Sequence, residues 1–131
     1  MSEGTIPAEL RYTKSHEWVR VDGDTLTVGI TDHAQSELTD IVYVDLNRKA
    51  RTVAAGASVL VLESVKTVAD VYAPVAGTVT ETNAALKDHP ELVNRSPYTD
   101  GWIFRIQFAG PLEPASFLSA DDYRQFLASG G

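Results

Sequence analysis

Between residues 58 and 72 a single lysine lies between two runs whose composition favours paired strands. Val59-Leu60-Val61-Leu62 precedes it, and Val71-Tyr72 follows it ahead of Pro74. β-Branched and aromatic residues suit a pleated, half-buried surface. The two runs should fold back on each other as a hairpin, with Glu63-Ser64-Val65-Lys66-Thr67-Val68-Ala69-Asp70 around its tip. Tight two-residue hairpins need positive φ, so Asn-Gly or Asp-Gly is the expected filling. The tip instead holds β-branched Val65 and Thr67, which fit that region poorly. Local turn chemistry overridden in this way points to a functional constraint. The residue on display is Lys66, a candidate for covalent modification; the passive alternative is a solvated, edge-guarding lysine.

The rest of the chain limits what such a lysine could serve. A length of 131 residues fits one domain with a modest core. Hydrophobic content of 44% with 22% charged residues is that of a globular protein. No apolar run approaches the roughly 18 residues of a membrane span, so no membrane role is expected. There is no cysteine, which removes disulfides, thiolate metal sites and cysteine nucleophiles together. Any thiol chemistry would need its sulfur from a cofactor. The formal charge of −7 argues against nucleic acid and suits either docking onto basic partners or simple solubility. His16, His33 and His89 are widely separated in sequence and lack metal-ligand spacing. His16 and His33 read as polar structural or surface residues rather than catalysts.

Strand and helix signals alternate along the chain. Residues 1–10 read as a flexible terminus, and 11–131 as a single domain. Trp18–Val21 and Thr25–Ile30 flank Asp22-Gly23-Asp24, a hairpin signal. Asp32 with Gln35 three residues on resembles a capping box, predicting a helix from Asp32 to about Leu38. Ile41–Leu46, Thr78–Thr82 and Ile103–Phe108 read as further strands. Pro90 can open a short helical turn over Glu91–Asn94. Ser119 with Asp122 caps a helix from Ala120 to about Leu127, whose Tyr123, Phe126 and Leu127 should pack back on the sheets. At class level this is a mainly β domain.

Six blocks, in order and at consistent spacing, resemble the glycine cleavage H-protein family of lipoyl-lysine carriers. They are Tyr12-Thr13-Lys14-Ser15-His16-Glu17-Trp18-Val19, Val28-Gly29-Ile30-Thr31-Asp32-His33-Ala34-Gln35, Glu63-Ser64-Val65-Lys66, Tyr72-Ala73-Pro74-Val75, Pro90-Glu91-Leu92-Val93-Asn94, and Pro97-Tyr98 with Gly101-Trp102. The resemblance covers about residues 10 to 127. It implies a flattened barrel or sandwich of two antiparallel sheets, the hybrid motif of biotinyl and lipoyl carriers, with short helices and a C-terminal helix. It implies no catalysis by this chain and lipoic acid carried covalently on Lys66. Glu63 would assist recognition by the lipoyl-attaching enzymes.

The resemblance further implies a shuttle. The aminomethyl group of glycine leaves a pyridoxal-phosphate-dependent glycine decarboxylase on the lipoyl arm. A tetrahydrofolate-dependent aminomethyltransferase takes it, and dihydrolipoyl dehydrogenase reoxidises the arm. Ser15, Glu17 and Asp70 match family positions of a cleft that shelters the loaded arm; for Glu17 the alternative is a surface carboxylate beside a core Trp18. The family-like region begins within about ten residues of Met1, and the first residues lack signal or transit character. A bacterial-type cytoplasmic location is therefore expected, and a mature organellar form is compatible.

Alternatives stay open on sequence alone. A biotin carrier shares the hairpin lysine, although its usual Met-Lys-Met setting is replaced here by Val65 and Thr67. An unmodified scaffold domain and a donor of lipoyl groups to other enzymes are the others. One departure from the family lies at Asn47-Arg48-Lys49-Ala50-Arg51, where acidic residues with proline and glycine are more usual. Three cations there should weaken any docking that uses negative charge along that loop.

Overall fold

The computed structural model describes residues 5–45, 51–110 and 117–130. The first hairpin forms where its turn signal lies. Strands β2 (Glu17–Asp22) and β3 (Thr25–Ile30) pair from Asp22↔Thr25 to Glu17↔Ile30. Gly23 supplies the positive φ of +64° at the first turn position, as a type II′ connection requires.

This hairpin is the centre of a six-stranded antiparallel sheet. β1 (Arg11–Tyr12) pairs outside β2, β9 (Phe104–Gln107) pairs with β3, β8 (Gly77–Thr82) with β9, and β5 (Arg51–Val53) with β8. A three-stranded antiparallel sheet holds β4 (Ile41–Val44), β6 (Ser58–Ser64) and β7 (Val68–Tyr72), with β6 in the middle. Two antiparallel sheets with short helices match the expected class. Strand ends are trimmed relative to the sequence reading: β4 stops at Val44, and Leu46 lies outside the described residues.

One buried cluster joins the sheets. Val28 and Ile106 from the larger sheet share it with Leu60, Leu62 and Val71 from the smaller. Each such side chain contributes roughly 1.5–3 kcal/mol on burial. The central position of β6 explains its near-continuous apolar run: Val59, Leu60 and Leu62 are all buried.

Four helical segments close the ends. Helix α1 spans Asp32–Leu38 as expected, but its cap is one residue earlier than the sequence suggested. Thr31 is the N-cap, accepting from Ala34 N at 3.2 Å, while Asp32 accepts from the Gln35 side chain at 2.6 Å. The Asp32–Gln35 pair therefore lies inside the first turn. Helix α2 (Ala85–Asp88) had no clear sequence signal and buries only Leu86. Helix α3 is Leu92–Arg95, one residue beyond the turn expected after Pro90. Helix α4 (Ala120–Ala128) is capped by Ser119, which accepts from Asp122 N at 3.1 Å.

A second, aromatic cluster fastens α4 to the start of the chain. Tyr123 stacks on Tyr12 with ring centroids 4.8 Å apart and planes within 9°. Trp18 is buried beside them, and Phe126 and Leu127 pack on the same cluster. Gly29, opposite Trp18 in the register, has a packing reason: a Cβ there would lie 2.6 Å from the indole Nε1. That nitrogen donates to Pro97 O at 2.8 Å. Residues 5–10 contact the same region, with Leu10 buried and Thr5 N donating to Asp32 at 3.0 Å.

Candidate functional site

The β6–β7 hairpin turns as foreseen, but by a different device. Its last pair is Glu63↔Val68, and none of Ser64 to Thr67 has positive φ. The Ser64 hydroxyl takes the place that a turn carbonyl would fill. It accepts from Lys66 N at 3.3 Å and Thr67 N at 3.0 Å, while Ser64 N donates to Thr67 O at 2.8 Å. A serine side chain bonding the backbone two and three residues on is a known substitute for backbone turn geometry. β-Branched Val65 and Thr67 are thus accommodated without left-handed backbone. Val65 N donates to Asp40 O at 3.0 Å, tying the tip to the segment before β4. Lys66 itself is exposed at the tip. Glu63 is exposed as well, one pair below.

At the foot of the same hairpin lies a cavity of about 260 Å³. It brings Ser15, Glu17 and Asp70 together, all three of the expected cleft residues. Leu62 and Ala69, paired across β6 and β7, supply one apolar wall; Ile30, Ala34 and Leu38 supply another. His16, His33 and Glu37 complete the lining.

Glu17 is the electrostatic centre of this site. The alternative of a surface carboxylate does not hold, since the residue is only 2% exposed. One carboxylate oxygen accepts from both Thr13 and Ser15 hydroxyls at 2.6 Å, and the other from Tyr72 N at 3.2 Å. Burial pushes the carboxyl above the ordinary glutamate value, and the bonds from Ser15, Thr13 and Tyr72 oppose that push. Asp70 is exposed and accepts from the Ser58 hydroxyl at 2.7 Å.

The two histidines, far apart in sequence, meet beside the cavity with centroids 4.8 Å apart. His16 has φ of +70°, and its Nδ1 lies 2.8 Å from the Tyr123 hydroxyl, itself 2.7 Å from Thr31 Oγ1. Burial and then the neighbouring His33 hold His16 below the usual histidine value, with Glu37 opposing. Thr13, His16, His33 and Glu37 escaped the sequence reading as members of one site. Only the Thr13-x-Ser15-x-Glu17 spacing hinted at it. Among the described residues no cluster of metal-ligating side chains occurs, and no helix is long and apolar enough to cross a membrane. The basic segment 47–50 lies outside the described residues.

The arrangement suits a lysine-borne prosthetic arm: an exposed amine on a braced tip, above a cavity with apolar walls and one buried acid. Comparison with known proteins points the same way. The family model described as glycine cleavage H-protein matches residues 10–130. The chain is 52% identical over 129 residues to the glycine cleavage system H protein of Alcanivorax borkumensis, covering 98% of this chain and 99% of that one. The protein of the same name from Thermus thermophilus is 50% identical over 124 residues, covering 95% and 97%. A crystal structure of a glycine cleavage system H protein from Mycobacterium marinum superposes with a TM-score of 0.81 at 36% identity, over 96% of this chain and 99% of that one. With both sheets, the braced lysine hairpin and nearly the full length of the sequence in agreement, this chain belongs to the glycine cleavage H-protein family, the lipoyl carriers of that system.

Proposed function

We infer that this carrier bears its lipoyl group on Lys66 and rests the loaded arm in the cavity beneath the hairpin. The observation that carries this reading is the placement of both on one element. Lys66 crowns the turn between β6 and β7, and Leu62, Ala69 and Asp70 of the same two strands line the cavity. When attached, the group supplies a dithiolane that can be opened reductively to take up a one-carbon fragment. The chain supplies a tether, a resting place and a charge partner, and performs no bond-making of its own.

Tethering raises the effective concentration of the reactive end at each partner without a tight complex. Glycine decarboxylase, aminomethyltransferase and dihydrolipoyl dehydrogenase would be visited in turn. The aminomethyl cargo carries an ammonium, for which the buried carboxylate of Glu17, with Ser15 beside it and Asp70 at the rim, is the matching acceptor set. A charge-assisted hydrogen bond contributes about 1.5–3 kcal/mol, enough to hold the arm yet release it to a partner. The apolar walls limit access of water to the cargo. Glu63, three residues before Lys66, serves recognition by the lipoyl-attaching enzymes. We place the carrier in the cytoplasm, in keeping with the bacterial sources of its relatives.

Intact mass of the protein from its native host, grown with and without lipoate, tests the assignment. A lipoyl increment that maps to Lys66 and is lost in Lys66→Arg is the expected result. A biotin increment would make it a biotin carrier, and no increment a scaffold; either would end the present reading.

A further inference from the structure

The outer face of the three-stranded sheet holds a feature that neither the arm nor its cavity uses. The register sets Tyr43 opposite Glu63, and Glu63 opposite Val68. Directly paired residues project on the same side of a sheet, so the three form one row across β4, β6 and β7. At a strand spacing of about 5 Å the row spans about 10 Å. Tyr43 is 51% exposed and Val68 62%, and Glu63 is exposed between them. The next pair, Leu62↔Ala69, faces the other way, toward the core and cavity. Val65, 66% exposed at the tip, extends the apolar surface toward Lys66.

A solvated sheet face is ordinarily polar. Here an aromatic and an aliphatic side chain flank a carboxylate that enters no hydrogen bond or ion pair among the described residues. That pattern fits a partner surface with apolar contacts around one cation. The identity of the partner follows from reach. Before modification the target is a bare ε-amine on a lysine stem, so the enzyme that acylates it must bring its active centre to the tip and cover the adjoining side chains. Partners that act later meet the end of a long arm and need not touch this row.

We propose that Tyr43, Glu63 and Val68 form a docking face for the lipoyl-attaching enzyme, which sets a basic side chain against Glu63. The proposal rests on the assignment of Lys66 as the attachment site. In the reaction served, the Lys66 nitrogen attacks an ATP-activated lipoyl carboxyl. The C–N amide bond forms, AMP departs with the electron pair of the broken bond, and one proton leaves the nitrogen.

The test follows lipoylation of the unmodified full-length chain by a lipoate–protein ligase with ATP and lipoate, read by intact mass. The variants are Tyr43→Ser/Val68→Ser, Glu63→Lys and Lys66→Arg. The double variant and Glu63→Lys should each slow modification at least about tenfold, as expected for an anchor residue and its charge partner, with the loss appearing in KM. Melting temperature should stay near wild type, and Glu63→Lys serves alone if the double variant folds poorly. Once driven to completion with excess ligase, both variants should be reduced by dihydrolipoyl dehydrogenase and NADH at the wild-type rate. Wild-type lipoylation rates in both variants would overturn the docking face while leaving Lys66 intact. Equal losses with the dehydrogenase would also overturn it, since the face would then not be specific to the attaching enzyme. Failure of the wild type to take up lipoate, or uptake by Lys66→Arg, would instead remove the attachment site and this proposal with it.

Discussion

The backbone N–H of Tyr72, on the edge strand of the small sheet, donates to the carboxylate of Glu17 on the large sheet at 3.2 Å. One buried acid thereby satisfies an edge-strand donor, holds Ser15 and Thr13, and offers charge to the cavity. The same residue bridges the two sheets and equips the site.

Glu17 should therefore respond differently to two substitutions. Glu17→Ala leaves three donors without their acceptor and should cost about 2 kcal/mol or more. Glu17→Gln keeps an acceptor for the two hydroxyls and sheds the buried charge. Because burial raises the folded carboxyl above its model value of 4.5, the native state holds that proton more tightly than the unfolded one. Its contribution to stability is present below 4.5 and declines as pH rises through the raised value. The melting temperature of Glu17→Gln relative to wild type should thus improve between about pH 4 and 7; a constant difference would contradict the direction of the shift. Hydrolysis of the loaded arm should quicken about tenfold in Glu17→Ala/Asp70→Ala, from the loss of one charge-assisted bond, with lipoylation unchanged.

His16 supplies the opposite pH limb. Its ring is faced by His33 and Glu37 of α1 and by Tyr123 and Phe126 of α4. Its folded value lies below the model value of 6.5, so the unfolded chain binds the proton more readily. Stability from this group is present above 6.5 and is lost as pH falls through the lowered value. Asparagine tolerates positive φ, so His16→Asn should flatten the fall in melting temperature between about pH 7 and 5. Tyr123→Phe, which removes the hydroxyl between His16 and Thr31, should cost about 1–2 kcal/mol in urea denaturation.

Thr39 ends α1 with φ of +65° and ψ of −153°, a region open almost only to glycine. Relief of that strain outweighs the added freedom of the unfolded glycine chain. Thr39→Gly should raise stability by about 1 kcal/mol, seen as a melting temperature higher by a few degrees.

Ser64 braces the tip through its hydroxyl. Ser64→Ala should cost only about 0.5–1 kcal/mol, because water can replace the lost bonds at an exposed turn. The clearer signature should be faster hydrogen exchange at the Lys66 and Thr67 amides by NMR.

Much of the fold was legible because its signals are local. Asp22-Gly23-Asp24 between two alternating runs specifies a hairpin through glycine's access to positive φ, and Ser119 with Asp122 specifies the start of α4. The Lys66 turn was located correctly but misjudged in mechanism. Attention to missing turn residues overlooked Ser64, whose side chain does what a left-handed backbone would otherwise do. Thr31 was passed over as the α1 cap in favour of Asp32 because both residue types can cap, and only coordinates show which oxygen meets the free N–H. Helix α2 is a single turn that buries one leucine, too little for any periodicity.

By itself the sequence determined the carrier family, the two-sheet class and the lysine on its hairpin, since turn chemistry and alternation act between neighbours in the chain. Tertiary structure alone decided that Glu17 is buried rather than solvated, that His16 and His33 stack, and that Tyr43, Glu63 and Val68 line up across three strands. Those relations depend on how sheets pack and on strand register, and contacts between distant residues leave no mark in the spacing of either partner.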